Sequence, residues 1–137
     1  MNVTWNKGNE RKVYDRIRTR VTKEPVHMIR VENVAEQGTP DIEIAYKGLS
    51  AWIETKYIKV TIKGCPLRPA QNAWHYLRAK VDPAGVMIIA GNEDWFVILR
   101  PPYTYGDGII EIPKGTIIYY WKGLSGKMLL DLIFGLL

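Results

Sequence analysis

The sequence has little cysteine and no long apolar run. Its single cysteine, Cys65, has no partner for an internal disulfide, and no Cys/His spacing typical of a zinc site occurs. The most apolar stretch, "MLLDLIFGLL", is about half of the roughly 20 residues that a membrane-spanning helix needs. The N-terminus shows no apolar segment typical of a signal peptide. We therefore expect no membrane span and no targeting segment, and a reducing, cytoplasmic environment.

Length and charge narrow the class of protein further. A chain of 137 residues that is 47% hydrophobic suits one compact domain, with a core over about residues 9–100 and a C-terminal extension over about 101–137. The 19 basic residues exceed the 14 acidic ones, which gives a formal net charge of +5. Such an excess favours a polyanionic partner such as nucleic acid, although many basic proteins bind none.

The first predicted element is a helix from Asn9 to about Thr22. Asn9 suits the N-cap, and Val13, Ile17 and Val21 recur at i, i+4 and i+8, which predicts one buried face. The other face carries four arginines: Arg11, Arg16, Arg18 and Arg20.

Three strands follow the first helix. "VHMIRVEN" alternates enough for a strand, and "DIEIAY" and "AWIETKYIKV" form a hairpin because Gly48 supports a tight turn between them. Pro69 suits the first residue of a second helix. The remaining elements are the helix "PAQNAWHYLRAK" and two short buried strands, "GVMIIAG" and "WFVILR".

The C-terminal extension predicts one more hairpin and a closing helix. "GIIEI" and "GTIIYYW" would pair around "PKG", and Ser125 would cap the helix "SGKMLLDLIFGLL". One face of that helix would pack in the core, or part of its apolar surface would contact a second subunit. The apolar residues are Leu129, Leu132, Ile133 and Leu136 on one face, widened by Met128, Leu130 and Leu137.

The predicted central hairpin brings charged side chains together. If Lys47 and Gly48 form the turn, Asp41 lies directly opposite Glu54, with Cβ atoms about 4.5–5.5 Å apart. If the turn centre shifts by one residue in both strands, Lys56 lies opposite Asp41 and Glu54 is diagonal to it. In both registers the three charged groups converge on one face of the hairpin.

Two carboxylates held this close repel each other unless a hard divalent cation neutralises them. Pro40 and Gly38 shape the turn that aims Asp41, and Lys56 would stand beside a scissile phosphate. This combination is typical of metal-dependent phosphodiester cleavage. The structural alternative is that Asp41 only begins a strand, and that Glu54 and Lys56 lie on a solvent-facing strand.

These motifs resemble the PD-(D/E)xK nuclease superfamily. "TPD" followed by "IETK" is similar to its active-site pattern, and "LRPAQNAWHYLRA" is similar to the region that follows the site in VRR-NUC-type nucleases and phage resolvase-like proteins. The resemblance implies an α/β fold of the restriction-endonuclease type. Its core would run α-β-β-β-α-β, with a mixed central sheet flanked by helices.

The resemblance also implies roles for particular residues. Asp41 and Glu54 would bind Mg²⁺ or Mn²⁺ together with the backbone carbonyl of Thr55. Lys56 would be the catalytic lysine, and Gln71 would be the helix residue that faces the site.

Further site residues are expected on the two helices. Glu10 would be an additional metal ligand and catalytic residue, with Asp15 and Glu36 as substitutes, or it would only favour the helix N-terminus by its charge. Gln71 and His75 share one polar helix face, and His75 is either a structural hydrogen-bonding residue or a DNA contact. The predicted DNA contacts are Arg11, Arg18, Lys59, Lys63, Arg68, His75 and Arg78, with the other arginines of the first helix.

Together these features predict a Mg²⁺- or Mn²⁺-dependent DNA endonuclease that acts on branched DNA such as a Holliday junction. The resemblance to phage resolvase-like proteins implies a phage origin. A homodimer is expected because junction resolution needs paired cuts. Two alternatives stay open. One is a sequence-specific, flap-cutting or nicking nuclease of the same fold, and the other is a nucleic-acid-binding module without catalytic activity.

Overall fold

The computed structural model describes residues 7–31, 37–59 and 64–136. The element order of the first hundred residues agrees with the predicted helix, three strands, helix and two strands, except that a two-residue strand precedes the second helix and a short 3-10 helix follows it. The helices are α1 (Lys7–Val21), α2 (Pro69–Ala79) and α3 (Gly126–Phe134), with a short 3-10 helix at Pro83–Gly85. The strands are β1 (His27–Arg30), β2 (Ile42–Tyr46), β3 (Leu49–Tyr57), β4 (Cys65–Pro66), β5 (Val86–Gly91), β6 (Trp95–Leu99), β7 (Tyr105–Gly106), β8 (Ile109–Ile110) and β9 (Tyr119–Tyr120).

Six strands form a mixed main sheet in the order β1-β2-β3-β5-β6-β9. Among the strands of the described residues, β3 and β5 are the only neighbours in it that run parallel, and α2 lies in the crossover between them. The other neighbours are antiparallel. A three-stranded sheet, β4-β8-β7, packs beside the main sheet. The architecture is therefore a mixed sheet flanked by helices, as predicted.

The periodicity of α1 correctly predicts its buried face. Val13, Ile17 and Val21 are fully buried and pack with α3 and one face of the main sheet. The helix begins at Lys7, so Asn9 lies inside it and does not cap it as predicted. Lys7 and Gly8 already belong to the helix, and helix ends assigned from a sequence commonly shift by one or two residues.

The C-terminal extension has a hairpin and a helix, but the hairpin uses other strands than predicted. β7 pairs with β8 around Asp107 and Gly108, and β8 also pairs with β4. β9, in the predicted partner "GTIIYYW", instead pairs with β6 at the edge of the main sheet. The extension therefore completes both sheets and is not a separate addition to the core.

Helix α3 is capped as predicted, since the Ser125 hydroxyl accepts a hydrogen bond of 3.1 Å from the Met128 amide. Its apolar surface is divided. Leu129, Leu130 and Ile133 are buried against α1 and the sheet, whereas Met128 and Leu136 are exposed. Leu137 lies outside the described residues. No helix in the described part of the chain is long and apolar enough to cross a membrane.

The opposite face of the main sheet is partly covered by the small sheet and α2. Ile88 and Val97 of the main sheet pack against Cys65 and Ile110. Burial of Cys65 raises the pKa of its thiol to about 12, so the thiol stays protonated and unreactive near neutral pH. This face also carries the candidate functional residues.

Candidate active site

The central hairpin has the first of the two predicted registers. Lys47 and Gly48 occupy the turn with φ of 51° and 77°, which is typical of a tight two-residue turn. Tyr46 pairs with Leu49, and Ile42 pairs with Ile53. The next position outward places Asp41 opposite Glu54, so the alternative register, with Lys56 opposite Asp41, is wrong.

Gly38 and Asp41 show how the loop before β2 is fixed. Gly38 has a φ of 88°, and a Cβ at this position would clash with the carbonyl oxygen of Ala70 at the start of α2. The Val31 amide donates to the Asp41 carbonyl at 2.7 Å. The Asp41 carboxylate accepts hydrogen bonds from the Thr55 amide at 2.9 Å and the Thr55 hydroxyl at 2.8 Å. The aspartate is thus tied to both neighbouring strands.

Glu54 is a buried acid with one free oxygen. It is 1% exposed; its Oε2 accepts from Gln71 Nε2 at 2.9 Å, and its Oε1 has no hydrogen-bond partner in the described structure. Burial raises the pKa of Glu54 well above its usual range, and the charge of Asp41 raises it further, while Lys56 lowers it. A group that neutralised both acids would therefore stabilise this arrangement.

Gln71 connects the glutamate to the lysine. Its Oε1 accepts from Lys56 Nζ at 3.1 Å and from the Arg68 amide at 3.0 Å. Lys56 Nζ lies 3.9 Å from Glu54 Oε2, and both side chains are almost fully buried. The amide of one helix residue thus separates and orients two buried charges of β3.

These residues line one open cavity of about 620 Å³. Glu10 and Arg11 of α1 reach it from one side, and Arg68 reaches it from the start of α2. Six lining residues were not predicted as site residues: Tyr14, Arg30, Pro66, Leu67, Pro69 and Gly108. Arg30 lies over the Tyr14 ring at 5.4 Å and pairs with Ile42, beside Asp41, so the register of β1 and β2 places it at the cavity.

Glu10, the predicted additional metal ligand, lies at the cavity but does not form a close metal-binding group with the other acids in the described residues. Glu10 lines the cavity, and its charge contributes to raising the pKa of Glu54. Within residues 7–31, 37–59 and 64–136, however, no three acidic, histidine or cysteine side chains form a close metal-binding group. Asp15 instead pairs with Arg11 and Arg18, each at 3.9 Å, on the outer surface of α1. Glu36 lies outside the described residues.

The structure corrects the expectation that His75 contacts DNA. Its ring is fully buried, and Nδ1 lies 2.8 Å from the Tyr103 hydroxyl. Burial, with a smaller contribution from the Lys56 charge, lowers the pKa of His75 to about 4. The structural alternative for His75 is therefore the better interpretation, because a ring without exposed surface cannot reach a DNA backbone.

Arg78 and two arginines of α1 also have structural partners. Arg78 stacks over the Trp52 and Trp74 rings at 5.8 and 5.9 Å, outside the cavity lining. Arg16 donates to the Glu93 carbonyl at 2.9 Å, and Arg20 donates to the Trp121 carbonyl at 2.9 Å. These contacts hold distant segments together, so these guanidiniums are not placed as free phosphate-binding groups.

The remaining predicted DNA contacts differ in position. Arg11 and Arg68 are exposed at the cavity, which agrees with a role in binding an anion there. Arg18 and Lys59 are exposed but do not line the cavity. Lys63 lies outside the described residues.

Fold and site together define a restriction-endonuclease-like α/β protein in which a half-buried Asp41 lies beside the buried Glu54 and Lys56. No protein-family model matches the chain, and no curated protein sequence does. Among solved structures, the chain is similar to the Holliday junction resolvase Hjc of Archaeoglobus fulgidus, an archaeal hyperthermophile, with a TM-score of 0.55 and 16% sequence identity. The match covers 76% of this chain and 87% of the resolvase. At this identity the likeness establishes the fold, and function must be argued from the site.

Proposed function

We propose that this protein is a divalent-metal-dependent DNA endonuclease that hydrolyses phosphodiester bonds in branched DNA, such as a Holliday junction. The observation that carries the proposal is the buried Glu54, which faces Asp41 with an unpartnered oxygen at an open cavity rimmed by arginines. A site built only for stability would not hold two repelling carboxylates together.

The residues of the cavity fit a hard cation. Carboxylate and carbonyl oxygens are the ligands that Mg²⁺ and Mn²⁺ prefer. Asp41 and Glu54 would supply the carboxylates. The Thr55 amide points towards Asp41, and the carbonyl of the same strand residue points to the same side, so Thr55 would supply that oxygen. When bound, the metal would neutralise the acids and lower the pKa of a water molecule.

Lys56 and Gln71 would orient the reactants. The Lys56 ammonium donates a hydrogen bond to Gln71 Oε1. Its Nζ atom stays 3.9 Å from Glu54 Oε2, which is too far for a direct hydrogen bond. The ammonium therefore keeps donors for the attacking water or for a phosphate oxygen on which negative charge develops. Arg11, Arg30 and Arg68, at the rim, would bind neighbouring phosphates without reading the sequence.

The branched substrate and a twofold dimer form the finer part of the proposal. The similar fold of an archaeal Holliday junction resolvase supports it by analogy. Met128 and Leu136 of α3 remain exposed and supply apolar surface for a second subunit. We expect Met128→Lys to give monomers in light scattering and to uncouple the paired cuts. The exposed Ser50→Lys is the control, and a wild-type monomer that makes paired cuts would contradict the dimer.

The decisive experiment is cleavage of an end-labelled four-way junction, a 5′ flap and a linear duplex with Mg²⁺, Mn²⁺ or EDTA. We expect symmetric, metal-dependent cuts in the junction. Lys56→Ala should lower the cleavage rate by about 10²–10³-fold, whereas Lys23→Ala, an exposed residue outside the cavity, should change it little.

Each outcome separates the alternatives. Cutting of flaps or duplex alone would keep the nuclease and reject the branched substrate. If folded protein binds these DNAs but cuts none of them with either metal, the catalytic proposal is wrong and a binding module is the better description.

A further inference from the structure

The β7–β8 hairpin, residues Tyr105–Ile110, stands between two cavities. Gly108 at its tip lines the candidate active site, together with Arg68 and Gln71. On the other side, Gly106 lines a groove of about 750 Å³. The hairpin belongs to the C-terminal extension, for which the sequence patterns indicate no function.

The hairpin is fixed to the loop that precedes α2. The Leu67 amide donates to the Gly108 carbonyl at 2.8 Å, and the Tyr105 hydroxyl donates to the Leu67 carbonyl at 2.9 Å. β8 also pairs with β4, so Cys65 lies opposite Ile110. Arg68, the next residue after Leu67, is at the rim of the candidate active site. The hairpin therefore forms a wall with a set position relative to the site.

Gly106 is a glycine that the fold itself does not require. The turn residues Asp107 and Gly108 have φ of 53° and 77°, which explains a glycine at Gly108. Gly106 is in strand β7 outside the positive-φ region, and a Cβ there would meet no atom of residues 7–31, 37–59 or 64–136 within 4 Å. A strand glycine without a conformational or packing reason is typical of a surface that another backbone approaches closely.

The groove beyond the hairpin offers polar groups suited to a nucleic-acid backbone. Thr104, Thr116 and Lys114 line it with exposed or half-exposed side chains, and Ile109 adds an apolar surface. Glu111 also lines it and offsets the charge of Lys114. The groove therefore suits a strand held by hydroxyl, backbone and apolar contacts more than by charge.

We infer that the DNA strand flanking the scissile phosphate leaves the active site over the tip of the β7–β8 hairpin and lies in this groove. This inference rests on the proposed nuclease function and adds a substrate-binding surface to it. The bare backbone at Gly106 gives the strand room to pass, and the rigid hairpin fixes its direction relative to Glu54 and Lys56.

A thiol at position 106 tests this path directly. Cys65 is fully buried, so Gly106→Cys introduces one accessible thiol. DNA junctions that carry a thiol-tethered nucleotide at successive positions on either side of the cut are bound in Ca²⁺ and tested for disulfide cross-linking. We expect cross-links on one side of the scissile phosphate, at least about tenfold more than from a control thiol. Thr104→Cys provides a second groove position, and the exposed Ala84→Cys is the control.

Blocking the groove gives an independent measurement. Gly106→Gln should weaken DNA binding at least about tenfold, while its melting temperature should not fall, because the site is open and the strand φ suits any residue. A purely structural role would instead leave DNA affinity unchanged.

The outcomes distinguish this inference from the proposed function. If wild-type protein cuts DNA but positions 106 and 104 cross-link no better than position 84, or if Gly106→Gln binds normally, the path over the hairpin is wrong and the nuclease stands. If wild-type protein neither binds nor cuts DNA, the proposed function is wrong and this inference falls with it.

Discussion

Gln71 shows how one neutral side chain organises a charged site. Its amide contacts Glu54, Lys56 and the backbone of Arg68, with every distance between 2.9 and 3.1 Å. A direct buried ion pair would compete for the same lysine donors, and its desolvation cost can exceed its attraction. The glutamine satisfies both partners and leaves one Glu54 oxygen open.

Metal binding should stabilise the folded protein through the two acids. At a Mg²⁺ concentration about 100 times the Kd, the expected gain is about 2.7 kcal/mol, or roughly 5–10 °C in Tm. Thermal unfolding with and without Mg²⁺ measures it. Asp41→Asn and Glu54→Gln should lose the shift. The outer-surface Asp15→Asn should keep it, and equal shifts in all three variants would contradict a metal site at Asp41 and Glu54.

The buried His75 should lower the free energy of unfolding as the pH falls below about 6.5. Its pKa is about 4 in the folded protein against about 6.5 unfolded, so between these values the unfolded chain binds a proton that the folded chain does not. Stability from this residue is complete above about pH 6.5 and falls by about 1.4 kcal/mol per pH unit towards pH 4.

Urea unfolding between pH 7 and 4 measures this dependence. His75→Asn should flatten the loss of stability at low pH relative to wild type, although the variant is less stable at every pH because the contact with Tyr103 is lost. The exposed His27→Asn is the matched control and should keep the wild-type slope. The assignment to His75 is wrong if both variants keep it.

At the scale of single elements, helix α1 carries two sets of arginines: one set binds backbone carbonyls and the other is exposed. Arg16 and Arg20 point to backbone carbonyls of the chain after β5 and β9, and Arg20 also lies over the Trp121 ring at 5.3 Å. Arg11 and Arg18 are exposed. The helix therefore binds the β5–β6 turn through Arg16 and the C-terminal segment through Arg20, and it presents Arg11 and Arg18 to solvent.

Arg20→Ala should lower the free energy of unfolding by about 2 kcal/mol, because it removes charged hydrogen bonds to the Trp121 and Leu124 carbonyls. Arg18→Ala on the same helix should change it by less than about 0.5 kcal/mol, since an exposed pair with Asp15 contributes little. Urea titration compares the two variants. Equal effects would contradict the division of α1 into these two sets.

On the scale of the whole molecule, the basic residues that give the net charge of +5 are unevenly distributed. Arg11, Arg30 and Arg68 gather at the cavity, whereas Lys12 pairs with Glu93 at 3.0 Å and Lys127 pairs with Asp131 at 2.8 Å. DNA affinity should therefore depend on the few cations at the site more than on the total charge.

Salt dependence of DNA binding tests this distribution. Removing one phosphate contact with Arg11→Ala or Arg68→Ala should reduce the slope of log K against log salt by about 0.9 for duplex DNA. The exposed Lys23→Ala, which does not line the cavity, should leave the slope unchanged. Identical slopes for all three variants would mean that the rim arginines do not contact phosphates.

Much of the fold and of the acidic pair is predictable because it depends on local signals. The periodicity of α1, the proline at the start of α2 and the two-residue turn before β3 each act within a few residues. The C-terminal hairpin also had a local signal, the Asp107-Gly108 pair, which is a stronger turn indicator than "PKG". The two-residue strand β9 shows no alternation, so its partner could not be predicted.

The sequence by itself determined that Asp41, Glu54 and Lys56 converge on one face of the central hairpin, because side chains alternate along both strands. The structure decided between the two registers and placed Asp41 opposite Glu54. Only the tertiary structure decided that Gln71 and His75 are buried while Leu77 of the same helix is exposed, since the inner surface of α2 must satisfy the buried charges of β3. It also decided that Gly108 lines the candidate active-site cavity. Contacts between segments far apart in the chain depend on how the sheets pack, and no local pattern encodes that packing.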